Sequence, residues 1–184
     1  MEKGADQTVE IKARCGDHET VRRKLDNWGA KFLGRETQVD IFYNVTRGRL
    51  KLRRSEAENL LIGYERPDTS GPKHCLVNLY PCSDAEALDR VLSASLGRKL
   101  VLKKQRELYV LGNIRFHLDQ VERLGTFLEI EVLGKRGVDK VEELRAVCED
   151  FMNRCGVKPE DLVEQAYADL LEELPSEEAG ETGD

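Results

Sequence analysis

The chain has 184 residues, of which 40% are hydrophobic and 35% charged, and its formal net charge is −6. That length favours one domain with a real core, and no apolar run approaches what a bilayer span needs. Net acidity excludes a generally basic surface for nucleic acid, but it leaves room for a local basic cavity.

Residues 7–14 read as a strand, with Val9, Ile11 and Ala13 on one side. Gly16 and Asp17 break it, and Asp17 suits a helix N-cap. Val21, Leu25 and Trp28 recur at helical spacing, with Gly29 as a natural stop. Residues 32–43 are strand-like, bent at Gly34. Residues 49–54 and 59–66 form a hairpin, 67–72 a loop and 74–80 another strand. Ser83 and Asp84 open a second helix with Leu88, Val91 and Leu92 on its apolar face, ending near Gly97. A strand over 100–111 turns at Gly112-Asn113 into strands 114–121 and 126–133. A helix follows over 138–155, with Val141, Leu144, Val147, Cys148 and Phe151 on one side. Pro159 suits the first turn of a last helix running to Leu174. From Pro175 the composition is acidic and small, which predicts disorder. The expected organisation is a domain over 1–174 and a tail over 175–184.

Five of these segments place charges on every second position: Glu10-Ile11-Lys12, Arg49-Leu50-Lys51-Leu52-Arg53, Lys104-Gln105-Arg106, Arg115-Phe116-His117-Leu118-Asp119 and Glu129-Ile130-Glu131. Strand side chains alternate faces, so each segment has one charged and one mostly apolar face. Eight strands with few intervening helices imply an α+β, mostly β fold with an antiparallel sheet. Sheets of that size often close to remove their edges. The helices carry apolar stripes that need a surface to bury against. If they cover the outside of an eight-stranded barrel, the charged faces point into its lumen. A polar lumen is stable when it stays wet or holds ions.

The cysteines are Cys15, Cys75, Cys82, Cys148 and Cys155, an odd set without a C-x-x-C pair. Neither a disulfide framework nor a zinc ribbon is indicated. With a short polar start lacking a signal-peptide pattern, unpaired thiols favour a reducing, cytoplasmic compartment.

The ordered set of motifs resembles the CYTH family of triphosphate tunnel enzymes, which includes class IV adenylyl cyclases and thiamine triphosphatases. The family's E-x-E-x-K strand reads Thr8-Val9-Glu10-Ile11-Lys12, with Thr8 in place of the first Glu. Gln38-Val39-Asp40-Ile41-Phe42-Tyr43, Leu50-Lys51-Leu52-Arg53, Lys104-Gln105-Arg106, Asp119 and Glu129-Ile130-Glu131 follow in the family's order. Where relatives often carry K-G-P, this chain has Tyr64-Glu65-Arg66-Pro67. The resemblance implies a closed eight-stranded tunnel with helices outside.

Triphosphate chemistry needs cations around the phosphate oxygens and a divalent metal to neutralise charge. Mg²⁺ or Mn²⁺ prefers oxygen ligands, here expected from Glu10, Asp119, Glu129 and Glu131. Lys12, Lys51, Arg53, Arg66, Lys104, Arg106 and Arg115 are the expected substrate-binding cations. The catalytic set is Glu10, Lys12, Glu129 and Glu131. Crowding of like charges predicts that truncating Arg53 or Arg106 relieves repulsion in the empty site.

Taken singly, each pair has a plainer role: Glu129/Glu131 as a solvated face, Lys51/Arg53 as an edge guard, and His117 with Asp119 as a structural hydrogen bond. The leading expectation is a metal-dependent triphosphatase acting on tripolyphosphate or a triphosphate ester. An adenylyl cyclase is the alternative, and a non-catalytic polyphosphate or nucleotide-binding module is a third reading, which Thr8 keeps open. The expected partner is a small triphosphate, with neither nucleic acid nor membrane. A homodimer is compatible with the sequence.

Overall fold

A computed structural model describes residues 6–175. From residue 176 on, the expected acidic tail lies outside the described residues. Eight strands appear in chain order: β1 (Gln7–Arg14), β2 (Lys31–Tyr43), β3 (Arg49–Ser55), β4 (Leu60–Glu65), β5 (Lys73–Pro81), β6 (Arg98–Leu111), β7 (Ile114–Val121) and β8 (Gly125–Gly134). They close into a barrel in the order β1-β5-β4-β3-β2-β6-β7-β8, and every pairing is antiparallel. Closure leaves no free edge. Lys51 and Arg53 therefore guard none.

The helices are α1 (His18–Asn27), α2 (Ala85–Leu96), α3 (Val141–Cys155) and α4 (Tyr167–Glu172). Asp17 caps α1 by accepting from the Thr20 N–H at 2.9 Å, and Asp84 caps α2 the same way through Ala87 at 2.8 Å. Gly29, at φ 74°, lets the chain leave α1 through the left-handed region.

The apolar strand faces point outward and are covered by these helices. Val9, Ile11, Phe116, Leu118, Ile130 and Val132 pack under Val21 and Leu25 of α1 and under Leu144, Cys148 and Phe151 of α3. Ile41, Tyr43 and Leu52 pack under Ala85, Leu88 and Leu92 of α2. With the outer faces committed to the core, the period of two sends the alternate charged positions into the lumen. Among the described residues no helix is long and apolar enough to cross a membrane.

Four local expectations change. The 32–43 segment is one strand, with a register shift between Phe32 and Gly34 taking up the bend. The third helix begins at Val141, after a turn that leaves Val138 exposed. Val147 is 37% exposed, off the apolar stripe. The expected last helix is broken into a 3-10 turn (Pro159–Asp161), an extended stretch and the short α4. In that stretch the Val163 N–H donates to the Lys12 carbonyl at 2.8 Å, and Leu162 bridges to Ala13. Pairing with the end of β1 replaces the helical hydrogen bonds there. The segment thereby crosses one mouth of the barrel, where Val163, Tyr167 and Ala168 pack with Phe42, Leu102, Val121 and Phe127.

Candidate functional site

The same ion-paired unit occurs twice in the lumen. On β3, Lys51 and Arg53 face Asp40, which lies directly opposite Arg53 on β2. Lys51 Nζ donates to Asp40 Oδ2 at 2.8 Å, and Arg53 Nε donates to Oδ1 at 2.8 Å. On β6, Lys104 and Arg106 face Asp119, directly opposite Arg106 on β7. Lys104 Nζ donates to Asp119 Oδ2 at 3.2 Å and Arg106 Nε to Oδ1 at 2.6 Å. Each Asp holds one Lys-x-Arg pair in place, which orients the cations before a ligand arrives.

Three further cations gather at the sealed end. Arg66 Nε lies 2.8 Å from Glu10 Oε1, and its Nη1 donates to the Glu164 carbonyl at 3.2 Å. Lys12 Nζ donates to the Gln165 carbonyl at 3.1 Å, lies 3.7 Å from Glu129 and sits 3.8 Å above the Tyr167 ring. Lys73 is 2% exposed and donates to the Val163 carbonyl at 3.1 Å. Three consecutive carbonyls of the crossing segment thus cap three lumen cations. Tyr167 Oη donates to Asp119 at 3.1 Å.

The carboxylates of β1 and β8 form a second group. Glu10 lies directly opposite Glu131, and Lys12 opposite Glu129. Glu129 accepts from Arg106 and lies 3.5 Å from His117 Nδ1. Glu131 has weaker company: Arg115 at 3.9 Å and His117 Nε2 at 3.9 Å. Thr8 shares the face of Glu10, and its buried hydroxyl makes no hydrogen bond.

Among the described residues, no three His, Cys, Asp or Glu groups converge as a preformed metal cluster. Glu10, paired with Arg66, and Glu131, with only distant cations, lie directly opposite each other and nevertheless suit a hard cation that also takes ligands from phosphate or water. Asp119 is differently placed, because Lys104, Arg106 and Tyr167 already engage its oxygens.

The electrostatics follow from burial and pairing. Burial raises the Glu131 carboxyl above its ordinary pKa, and the neighbouring Glu10 adds to that. Glu129 is half-buried, and against that desolvation Arg106 holds it well below the usual range. Asp119 stays at about 2 against its burial because Arg106 and Lys104 stabilise the charge. Burial pushes Lys12 down to about 8 and Lys104 to about 7. His117 falls to about 4, again mainly through burial and then through Arg106, so the ring is neutral near pH 7.

The expected residues Glu10, Lys12, Lys51, Arg53, Arg66, Lys104, Arg106, Arg115, Glu129 and Glu131 all line one cavity of about 490 Å³. Asp119 borders it through Arg106. His117 pairs with Glu129 and Glu131, not with Asp119. Sequence reasoning assigned no role to Asp40, Lys73 or Tyr167. Asp40 stood in a quoted motif, and its opposition to Arg53 was the missing signal. Lys73 and Tyr167 gain their roles from backbone crossings that no strand pattern encodes.

Comparison with known proteins agrees with this geometry. The chain matches the family described as CYTH domain over residues 6–167. A curated relative from Methanocaldococcus jannaschii, which carries a provisional adenylate cyclase name, is 26% identical over 174 residues, covering 88% of this chain and 97% of the relative. A solved structure from Pyrococcus horikoshii, described without an activity, superposes with a TM-score of 0.77 at 28% identity, covering 89% of this chain and 98% of the other. A Hippeastrum structure has a TM-score of 0.57 at 17% identity, with 86% and 91% coverage. That protein is described as an adenylyl cyclase candidate with a dominant triphosphatase activity.

Proposed function

The chain belongs to the CYTH domain family, and from that premise we propose that it is a metal-dependent triphosphatase working inside the barrel. The observation that carries this reading is the pair of Asp-anchored Lys-x-Arg units side by side on four consecutive strands of one lumen, β3 with β2 and β6 with β7. Each leaves guanidinium and ammonium donors for phosphate oxygens. Lys12 and Arg66 add charge at the sealed end. Arg115 adds charge beside Glu131.

Glu10 and Glu131, with Glu129 beside them, are the residues that would hold Mg²⁺ or Mn²⁺. When bound, the metal supplies charge neutralisation on the phosphates and orients the attacking water. The low-dielectric wall strengthens every cation–phosphate contact. The segment over 163–169 closes one end and keeps bulk water from entering behind the phosphates. Water attacks the terminal phosphorus, the bridging P–O bond breaks, and orthophosphate leaves with the shortened chain as the second product.

The Hippeastrum protein's triphosphatase activity accords with this reading. The cyclase alternative rests on the provisional name of the Methanocaldococcus relative. It requires a ribose 3′-hydroxyl to be aimed at the α-phosphorus. A product assay separates the readings. We expect Mg²⁺- or Mn²⁺-dependent orthophosphate release from tripolyphosphate or a triphosphate ester, abolished by EDTA. Cyclic AMP with pyrophosphate from ATP would replace this reading with the cyclase. Binding without any product would replace it with a non-catalytic module.

A further inference from the structure

Part of the lumen wall is aliphatic. From the sealed end to the open end, β5 runs from Lys73 to Val77 and Leu79, β4, inward of Arg66, from Tyr64 to Ile62 and Leu60, and β6 from Lys104 and Arg106 to Leu108 and Val110. These three strands turn aliphatic toward the open end, while β3 and β7 keep cations beside them, with Lys51 and Arg53 opposite Ile62 and Leu60 and Arg115 opposite Val110. The rim continues the aliphatic character: Leu33 lines the mouth and stays 53% exposed.

An inorganic polyphosphate suits only part of such a cavity. Its oxygens have partners at the sealed end, on β3 and at Arg115, and none on the β4–β5 wall of Leu60, Ile62, Val77 and Leu79. The whole cavity, at about 490 Å³, lies within the roughly 300–1,000 Å³ typical of sites for organic ligands. At the waist, Glu36 Oε2 and Gln38 Oε1 face the lumen without donors. They lie directly opposite Arg106 and Lys104, so on these two strands the acceptors stand level with the last cations before the aliphatic Leu108 and Val110. Of the rings that line the lumen, Phe42 and Tyr167 lie at the sealed end and Tyr64 lies opposite Val77, short of Ile62 and Leu60. Beyond Tyr64 toward the mouth no lining ring offers a stacking platform for a nucleobase, and the β4–β5 wall there is aliphatic.

We propose that the ligand is a polyphosphate ester of a hydrocarbon chain, bound with its phosphates at the sealed end and its chain along β4, β5 and β6 toward the mouth. This deepens the triphosphatase reading and rests on its premise that the cations hold polyphosphate. The hydrophobic effect supplies the added affinity, roughly in proportion to the apolar area the chain and wall remove from water.

The test is calorimetric titration of the full chain with Mg²⁺, comparing inorganic pyrophosphate with geranyl diphosphate and inorganic tripolyphosphate with ATP. We expect geranyl diphosphate to bind at least tenfold tighter than pyrophosphate, with a more negative heat-capacity change. Leu79→Gln and Leu108→Gln should each move that affinity ratio toward one. Two substitutions on different strands guard against one failing to fold. Equal affinity for the two diphosphates overturns the hydrocarbon proposal while leaving the polyphosphate reading intact. A preference for ATP over tripolyphosphate without a gain from the geranyl chain also overturns it, in favour of a nucleoside. If no polyphosphate binds at millimolar concentration, the reading beneath it fails as well.

Discussion

Arg106 shows why the lumen is stable when empty. Its guanidinium is shared between Asp119 and Glu129, so it is paired, and the expected relief of repulsion on truncation does not apply. Arg106→Ala leaves a buried Asp119 with only Lys104 and Tyr167. Breaking a buried pair on one side costs about 3–5 kcal/mol. We expect a lower melting temperature for that variant, read by thermal denaturation. Arg106→Lys keeps charge but loses the fork, and should weaken tripolyphosphate binding by roughly ten- to a hundredfold, in line with ~1.5–3 kcal/mol for a charged hydrogen bond. Lys104 gives the pH dependence. Its folded-state pKa, about 7, lies below the ordinary 10.5, so the unfolded chain binds more protons between those values. Stability therefore gains from Lys104 as pH rises through that window and loses the gain on the acid side. A bound triphosphate restores the ammonium, so binding takes up protons near pH 8 and weakens at higher pH. Titrations in buffers of different ionisation enthalpy measure that uptake directly. Thr8 supplies a third test. Thr8→Glu would set a new carboxylate on the face of Glu10, lowering the melting temperature without metal and tightening Mn²⁺ binding by roughly tenfold, as charge count tunes oxygen-ligand sites. Equal Mn²⁺ affinity in wild type and variant would show that the orphaned hydroxyl marks no missing ligand.

The strands were legible and the C-terminal crossing was not, and the two cases differ physically. A strand with one committed apolar face has only one place to put the other, so Glu10, Lys51, Arg53, Lys104, Arg106 and Glu131 could be gathered from spacing alone. Residues 162–166 carry ordinary helix-compatible side chains after a proline. What breaks the helix is tertiary: the Val163 N–H bonds to Lys12, and the carbonyls of Val163, Glu164 and Gln165 cap Lys73, Arg66 and Lys12. The partners are 90 to 153 residues away in sequence. No local propensity reports such an arrangement. Tyr167 carries the joint between this crossing and the barrel, through its hydroxyl to Asp119 and its ring on Phe127. Tyr167→Phe keeps the ring and removes one buried hydrogen bond, at a cost of about 1–2 kcal/mol. Tyr167→Ala also empties the space beside Phe127 and should cost about 3–5 kcal/mol. Chemical denaturation of the two variants checks the gap, and equal losses would show that the ring packing contributes nothing.

At the scale of the whole barrel, the fold places a dense set of buried charges where their only further compensation is a ligand. The outside is an ordinary core of strand faces under α1, α2 and α3, so overall stability does not depend on filling the lumen. The inside is held by cross-strand ion pairs whose desolvation cost is only partly returned, as the lowered Lys12 and Lys104 and the raised Glu131 all indicate. A polyanion with a divalent cation addresses both signs of that imbalance together. Binding confined to the folded state adds about 2.7 kcal/mol at a hundredfold excess over the dissociation constant. For a chain of this length, each kcal/mol corresponds to roughly 2–4 °C in melting temperature. Tripolyphosphate with Mg²⁺ at such an excess should therefore raise the melting temperature by about 5–11 °C. The shift should shrink with added salt less than a surface site would show, because buried charges are screened poorly. Tripolyphosphate or Mg²⁺ alone should each give a smaller shift, since either leaves one sign of the lumen's charge uncompensated. A melting temperature that stays fixed at millimolar tripolyphosphate, with and without metal, would mean that the barrel's charges serve no polyphosphate at all.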